Sequence, residues 1–288
     1  MRFKLASVEE LDERIERAVG SCPVSYDARS GGYSTADRFA VVLADGRSVF
    51  VKSAEAPHMA AWLRREHEVY ASLEGSFIPR FEGWDDDGVR PVLVIEDLSA
   101  ADWTPRWDDA RVQAVREALA ELAGCAPPPN TVSMRASHAS VFGRWEKVAA
   151  DPAPFLSLGL RDGAWLEGRL PALIDAAEAA PVDGDACVHY DVRSDNMCFV
   201  GDKAVLVDWN WLSLGNPETD LAGWAPSLRL EGGPQPWELL PSSPGFAALL
   251  AGVFAAVAGL PPPETAPMVR AFQRAQLEVS LEWCDREL

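Results

Sequence analysis

The stretch Val188-His189-Tyr190-Asp191-Val192-Arg193-Ser194-Asp195-Asn196, followed by Ala204-Val205-Leu206-Val207-Asp208, spaces a carboxylate, a cation, an amide and a second carboxylate along one short segment. That order suits transfer of a phosphoryl group from a metal-bound nucleotide. Asp191 is placed to take or orient the proton of an attacking hydroxyl. Arg193 is placed to neutralise charge building on the moving group. Asn196 and Asp208 are hard oxygen donors of the kind Mg²⁺ accepts, an ion that takes few protein ligands and fills its shell with water and phosphate oxygens.

These groups need a scaffold. Met197-Cys198-Phe199-Val200 and Ala204 to Val207 are β-prone runs around the turn residues Gly201-Asp202-Lys203. They predict a tight antiparallel hairpin with a loop of three residues. Val200 then lies opposite Ala204, and Asn196 opposite Asp208. Two other readings compete. His189-x-Asp191 could be half of a metallohydrolase site, but the chain has only His58, His67, His138 and His189, and the first two fall on an upstream helix. Asp191 and Arg193 could form a plain surface ion pair. The hairpin and its second acid weigh against both.

The segment resembles the catalytic loop of the aminoglycoside phosphotransferase family, small-molecule kinases of the protein-kinase-like fold. The family pattern is His-Gly-Asp-x-x-x-x-Asn, a strand ending in Ile/Val-Asp-Trp/Phe, then Gly-x-Pro-x-x-Asp-Leu-Ala. Here it reads His189 to Asn196, Val207-Asp208-Trp209, and Gly215-Asn216-Pro217-Glu218-Thr219-Asp220-Leu221-Ala222. These motifs, in order, anchor most of the C-terminal two-thirds. The resemblance implies that Asp191 is the catalytic base, that Asn196 and Asp208 hold metal, and that Asp220 braces the loop from a helix start. A first-turn acid there is favourable in any helix. Tyr190 departs from the family's usual Gly, so it either alters the loop backbone or lines the substrate side. Arg193 stands where many members carry His; protein kinases place a lysine there, and a cation fits the chemistry.

The upstream part should bind the nucleotide. Phe39 to Leu43, Ala44-Asp45-Gly46-Arg47 and Ser48 to Lys52 read as strand, turn, strand. Lys52 shares one face with Phe50, opposite Val49 and Val51. Without the downstream motifs it reads as a solvated edge lysine; with them it takes the place of a phosphate-pairing lysine. His58 to Leu73 is a helix by period, with Trp62, Glu66, Val69 and Leu73 on one face. An acid in an apolar stripe needs a partner, which makes Glu66, rather than Glu68, the mate of Lys52. The phosphate-covering loop falls at Ser30 to Thr35, with Ser34 touching phosphate. Pro91 to Ile95 is a buried strand leading to Glu96-Asp97-Leu98, the hinge where Glu96 and Leu98 meet the adenine edge through their backbone.

Helices are expected at Asp108–Leu122, Ala164–Ala179, Glu218–Ala225, Phe246–Ala258 and Glu264–Trp283, punctuated by prolines at 127–129 and 261–263. A strand-rich first part and a helical second part give an α+β, bilobal protein-kinase-like fold. The expected division is a nucleotide-binding lobe at 1–97 and a larger catalytic and substrate-binding lobe at 98–288. The uncharged run Phe246 to Leu260 is too short for a membrane span. The first residues lack a signal-peptide core, and five scattered cysteines fit a reduced compartment. Both point to the cytoplasm.

The formal charge of −18 argues against nucleic acid. It favours a cationic small molecule or serves plain solubility, and it leaves Lys52, Arg193 and Mg²⁺ to hold an anionic nucleotide. Acceptor contacts are expected from Asp195, Asn210, Trp211, Glu231 and the last helix with Glu278, Glu282 and Asp285. The reading is an ATP- (or GTP-) and Mg²⁺-dependent phosphotransferase acting on a small-molecule hydroxyl, an aminoglycoside-like or other cationic antibiotic. The alternatives are a choline-, homoserine- or sugar-type metabolic kinase and a catalytically idle kinase-like binding protein. Retention of Lys52, Asp191, Asn196 and Asp208 counts against the last.

Overall fold

Alternating apolar residues in the first hundred positions build one antiparallel sheet from β1 (Pro23–Ala28), β2 (Asp37–Leu43), β3 (Ser48–Ser53), β4 (Phe81–Asp85) and β5 (Val92–Glu96), in the order β1-β2-β3-β5-β4. The computed structural model describes residues 6–29, 36–54, 56–104, 106–264 and 266–288. β5 lies between β3 and β4, which explains its unbroken apolar run: Val92, Leu93 and Val94 have no exposed surface. Helix α1 (Ala6–Val19) sets Leu11 and Ile15 against Phe39, Val41, Val49, Val51, Val92 and Val94. Arg14 of the same helix is 2% exposed and reaches Asp85 Oδ2 at 2.6 Å and Asp87 Oδ2 at 3.0 Å. Gly83 of β4 permits the close approach, since a Cβ there would stand 2.3 Å from the Ala18 carbonyl oxygen.

Helix α2 (Pro57–Tyr70) buries Met59, Ala60, Leu63, Glu66, Val69 and Tyr70. Trp62 does not join that stripe and is 43% exposed. Glu66, Val69 and Leu73 are buried as expected, and Met59, Ala60, Leu63 and Tyr70 widen that face.

The expected hairpin is β7 (Met197–Val200) with β8 (Lys203–Leu206). Its register differs from expectation by one residue: Val200 pairs with Lys203, and Met197 with Leu206. Asn196 therefore does not face Asp208; its carbonyl accepts the Val207 N–H at 2.9 Å. The cause is a two-residue turn, with Gly201 at φ 65° in the first central position as a II′-type turn requires. Residues 195–212 group with the sheet in one compact unit, together with Met1–Thr104 and Ala126–Asn130. Phe199 and Asp102 exchange both backbone hydrogen bonds, and the Leu206 N–H donates to the Phe77 carbonyl.

The second unit comprises Pro105–Cys125, Thr131–Ser194 and Ser213–Leu288. It holds α3 (Asp109–Ala123), α4 (Met134–Ser137), α5 (Arg144–Ala150), α6 (Ala153–Leu156), α7 (Gly163–Glu178), α8 (Glu218–Leu230), α9 (Pro236–Leu239), α10 (Pro244–Ala255) and α11 (Val269–Glu287), with the short pair β6 (Ala186–Val188) and β9 (Ser213–Gly215). Its core gathers Trp145, Phe155, Phe246, Leu277 and Trp283 around α10. The Trp145 indole donates to the Ala248 carbonyl at 2.8 Å. Among the described residues no helix is long and apolar enough to cross a membrane. Helix α11 starts at Val269 rather than Glu264, because Pro267 disfavours helical backbone in the residue before it. Helix α8 runs past Ala225 through Pro226 to Leu230.

Two glycines give opposite expectations. Gly83→Ala loses about 1–3 kcal/mol in urea unfolding, from forced separation of β4 and α1. Gly223→Ala, at an exposed position of the largely buried helix α8 where a Cβ meets nothing within 4 Å, gains about 0.5–1 kcal/mol.

Candidate functional site

In the sheet unit Lys52 meets two of the expected site carboxylates. It lies near the end of β3 facing α2, 8% exposed, with Nζ 2.5 Å from Glu66 Oε1 and 4.0 Å from Asp208 Oδ1. Glu66 is 2% exposed, whereas Glu68 is less deeply buried. Burial pushes the Glu66 carboxyl above its ordinary value, opposed by the Lys52 ammonium. Helix α2 is anchored just before Glu66: Arg64 binds both oxygens of Asp86 at 2.7 and 2.9 Å, and Arg65 Nη2 donates to the Leu212 carbonyl at 2.8 Å.

Asp208 follows β8 with φ 68° and ψ 66°, a left-handed conformation that turns the chain sharply after the hairpin. Its Oδ1 accepts from Asn210 Nδ2 at 2.7 Å. Asn196 is 5% exposed at the same open end of the hairpin. An amide and a partly exposed carboxylate, beside a lysine suited to phosphate, fit a Mg²⁺ that takes its remaining ligands from water and nucleotide.

In the helical unit β6 delivers His189 into a loop held by one buried acid. Asp220, 3% exposed in the first turn of α8, accepts the His189 N–H at 2.8 Å and the Tyr190 N–H at 2.6 Å. His189 is fully buried, and its Nδ1 accepts the Asp191 N–H at 3.2 Å. Arg193 Nε lies 3.7 Å from Asp191 Oδ1. The loop ends at Ser194, whose hydroxyl donates to Glu231 Oε1 at 2.5 Å, while the Trp107 indole donates to Oε2 at 2.8 Å. Tyr190 has φ 69°, which costs an L-residue roughly 1–2 kcal/mol. Its ring stacks on His138, centroids 3.9 Å apart.

Of the expected acceptor residues, Asp195, Asn210 and Trp211 belong to the sheet unit, and Glu231 and Glu282 to the helical unit. Asn210 is engaged with Asp208, and Trp211 tilts against Trp62 at 6.1 Å in the sheet unit. Glu231 accepts from the Ser194 hydroxyl and the Trp107 indole, one on each oxygen, and so ties the end of the His189–Ser194 loop. Asp195 and Glu282 are exposed. At the expected hinge the Glu96 carboxylate binds Arg80, and the Leu98 carbonyl accepts from Ala101 N–H and the Trp103 indole. Ser34 and its loop lie outside the described residues. Trp107, His138 and Arg65 are not legible in the sequence as site residues, since each acts on a partner far along the chain without a local motif.

Burial pushes Asp220 up to about 7, against the pull of its two backbone N–H donors. Its folded value exceeds the reference 3.8, so the native state holds more protons between the two. The stability from this group is fully present below 3.8 and is lost as pH rises through about 7. Wild type therefore loses stability relative to Asp220→Asn as pH rises across that window, measured by urea unfolding.

Comparison with known proteins bears on the fold and the family. No curated protein sequence matches the chain. Among solved structures, a spectinomycin phosphotransferase in complex with ADP and spectinomycin is 12% identical with a TM-score of 0.60, covering 97% of this chain and 98% of that one. An amicoumacin kinase in complex with AMP-PNP and Ca²⁺ gives 12% and 0.57, with 96% and 93% covered. A choline/ethanolamine kinase family protein from Mesorhizobium loti gives 16% and 0.57, with 91% and 90% covered. These likenesses show the protein-kinase-like α+β fold. The sequence model of the phosphotransferase enzyme family matches residues 26–240, and the chain belongs to that family.

Proposed function

We propose that the protein is an ATP- and Mg²⁺-dependent kinase that transfers the γ-phosphoryl group to a hydroxyl of a cationic small molecule. The observation that carries this reading is the buried Lys52–Glu66 pair with the Asp208 carboxylate 4.0 Å from the same ammonium. A lysine fixed by an acid and facing a second acid is the arrangement that phosphate positioning beside a metal ion demands.

In this mechanism Lys52, held by Glu66, positions the nucleotide phosphates. Asn196 and Asp208 would hold Mg²⁺, whose charge when bound offsets that of the phosphates. Asp191 orients the acceptor hydroxyl and takes its proton, while Arg193 supplies positive charge against the transferred group. Asp220 and Glu231 hold the two ends of the loop that carries Asp191. The net charge of −18 supports a cationic acceptor. Aminated antibiotics carry such charge, and so does choline, the acceptor type of the metabolic alternative.

The test is incubation with Mg²⁺–ATP and a panel of aminoglycosides, spectinomycin, macrolides and amino alcohols, with phosphorylated product detected by mass. Product is expected from one class, and Asp191→Asn lowers its rate by about 10²–10⁴. Nucleotide binding without transfer to any acceptor would sink the reading in favour of an idle binding protein.

A further inference from the structure

Tyr190 places a bulky side chain at a backbone angle (φ 69°) that L-residues rarely adopt, immediately before Asp191. Asp220 holds its N–H. The ring is held separately: it lies flat on His138, 3.9 Å between centroids and 18° between planes. His138 is itself fixed, 7% exposed, with Nε2 3.1 Å from Ser213 Oγ, which stands 2.9 Å from Ser137 Oγ.

We infer that His138 is a positioning residue for catalysis, clamping the Tyr190 ring so that residue 190 keeps its positive φ and aims Asp191. A glycine in place of Tyr190 would hold that angle without help. A tyrosine freed from its platform relaxes towards negative φ and swings the following peptide, breaking the bond from the Asp191 N–H to His189 Nδ1. The imidazole is therefore required because residue 190 is tyrosine. The inference rests on Asp191 as the catalytic base.

The test is a double-mutant cycle of His138→Ala, Tyr190→Gly and the double variant, with His138→Phe as the conservative control. Kinetics use Mg²⁺–ATP and the acceptor found in the panel; urea unfolding is measured in parallel. In the otherwise unaltered protein His138→Ala cuts kcat about tenfold, with the KM for ATP unmoved. His138→Phe, which keeps the flat ring, recovers most of that loss. In the Tyr190→Gly background His138→Ala changes kcat by less than about twofold. Equal losses in both backgrounds, or a His138→Ala effect confined to stability, overturn the clamp. A wild-type protein that phosphorylates no acceptor overturns the functional reading alone. The clamp is then decided by hydrogen exchange at the Asp191 amide, which the bond to His189 Nδ1 protects: exchange speeded by His138→Ala only beside Tyr190 supports it, and an equal change in both backgrounds overturns it.

Discussion

A lysine and a glutamate buried together set the terms for the sheet unit. A charge taken out of water costs several kcal/mol unless an opposite charge meets it in good geometry. Lys52 can sit at the end of β3 inside the protein only because Glu66 arrives 2.5 Å away. That requirement fixes the rotation of α2, whose buried stripe must include position 66. It also fixes what else can approach: the carboxylate of Asp208 faces the same ammonium.

The helical unit solves a related problem differently. Asp220 is as deeply buried as Glu66, yet two consecutive backbone N–H groups hold it, where an ammonium holds Glu66. The acid ties a loop to a helix start, where the dipole favours negative charge. Glu231 does comparable work on the far side of the loop through a hydroxyl and an indole. Side chains from Trp107 to Glu231 thus fix a loop that has little regular structure of its own.

Sequence shows the chemistry more clearly than the geometry. The motifs around Asp191, Asp208 and Asp220 are local, and the fold they imply is the one observed. Glu66 stands out because an acid inside an apolar stripe demands a partner. The hairpin register departs from expectation by one residue because Lys203, a polar residue, looks like turn rather than strand; it is an exposed strand residue opposite Val200. A slip of one reverses every facing pair, since strand side chains alternate. Glu231 lies beside a visible pair of glycines, but its partners are 37 and 124 residues away and no spacing rule reaches them. Tyr190 is visible as a departure, though the His138 ring beneath it is not.

Adjacent arginines on α2 grip opposite neighbours, Arg64 the carboxylate of Asp86 and Arg65 the carbonyl of Leu212. Both anchors lie in the same compact unit as Lys52 and Glu66. The position of the buried ammonium is therefore set when that unit folds, by contacts drawn from strands, helix and hairpin alike.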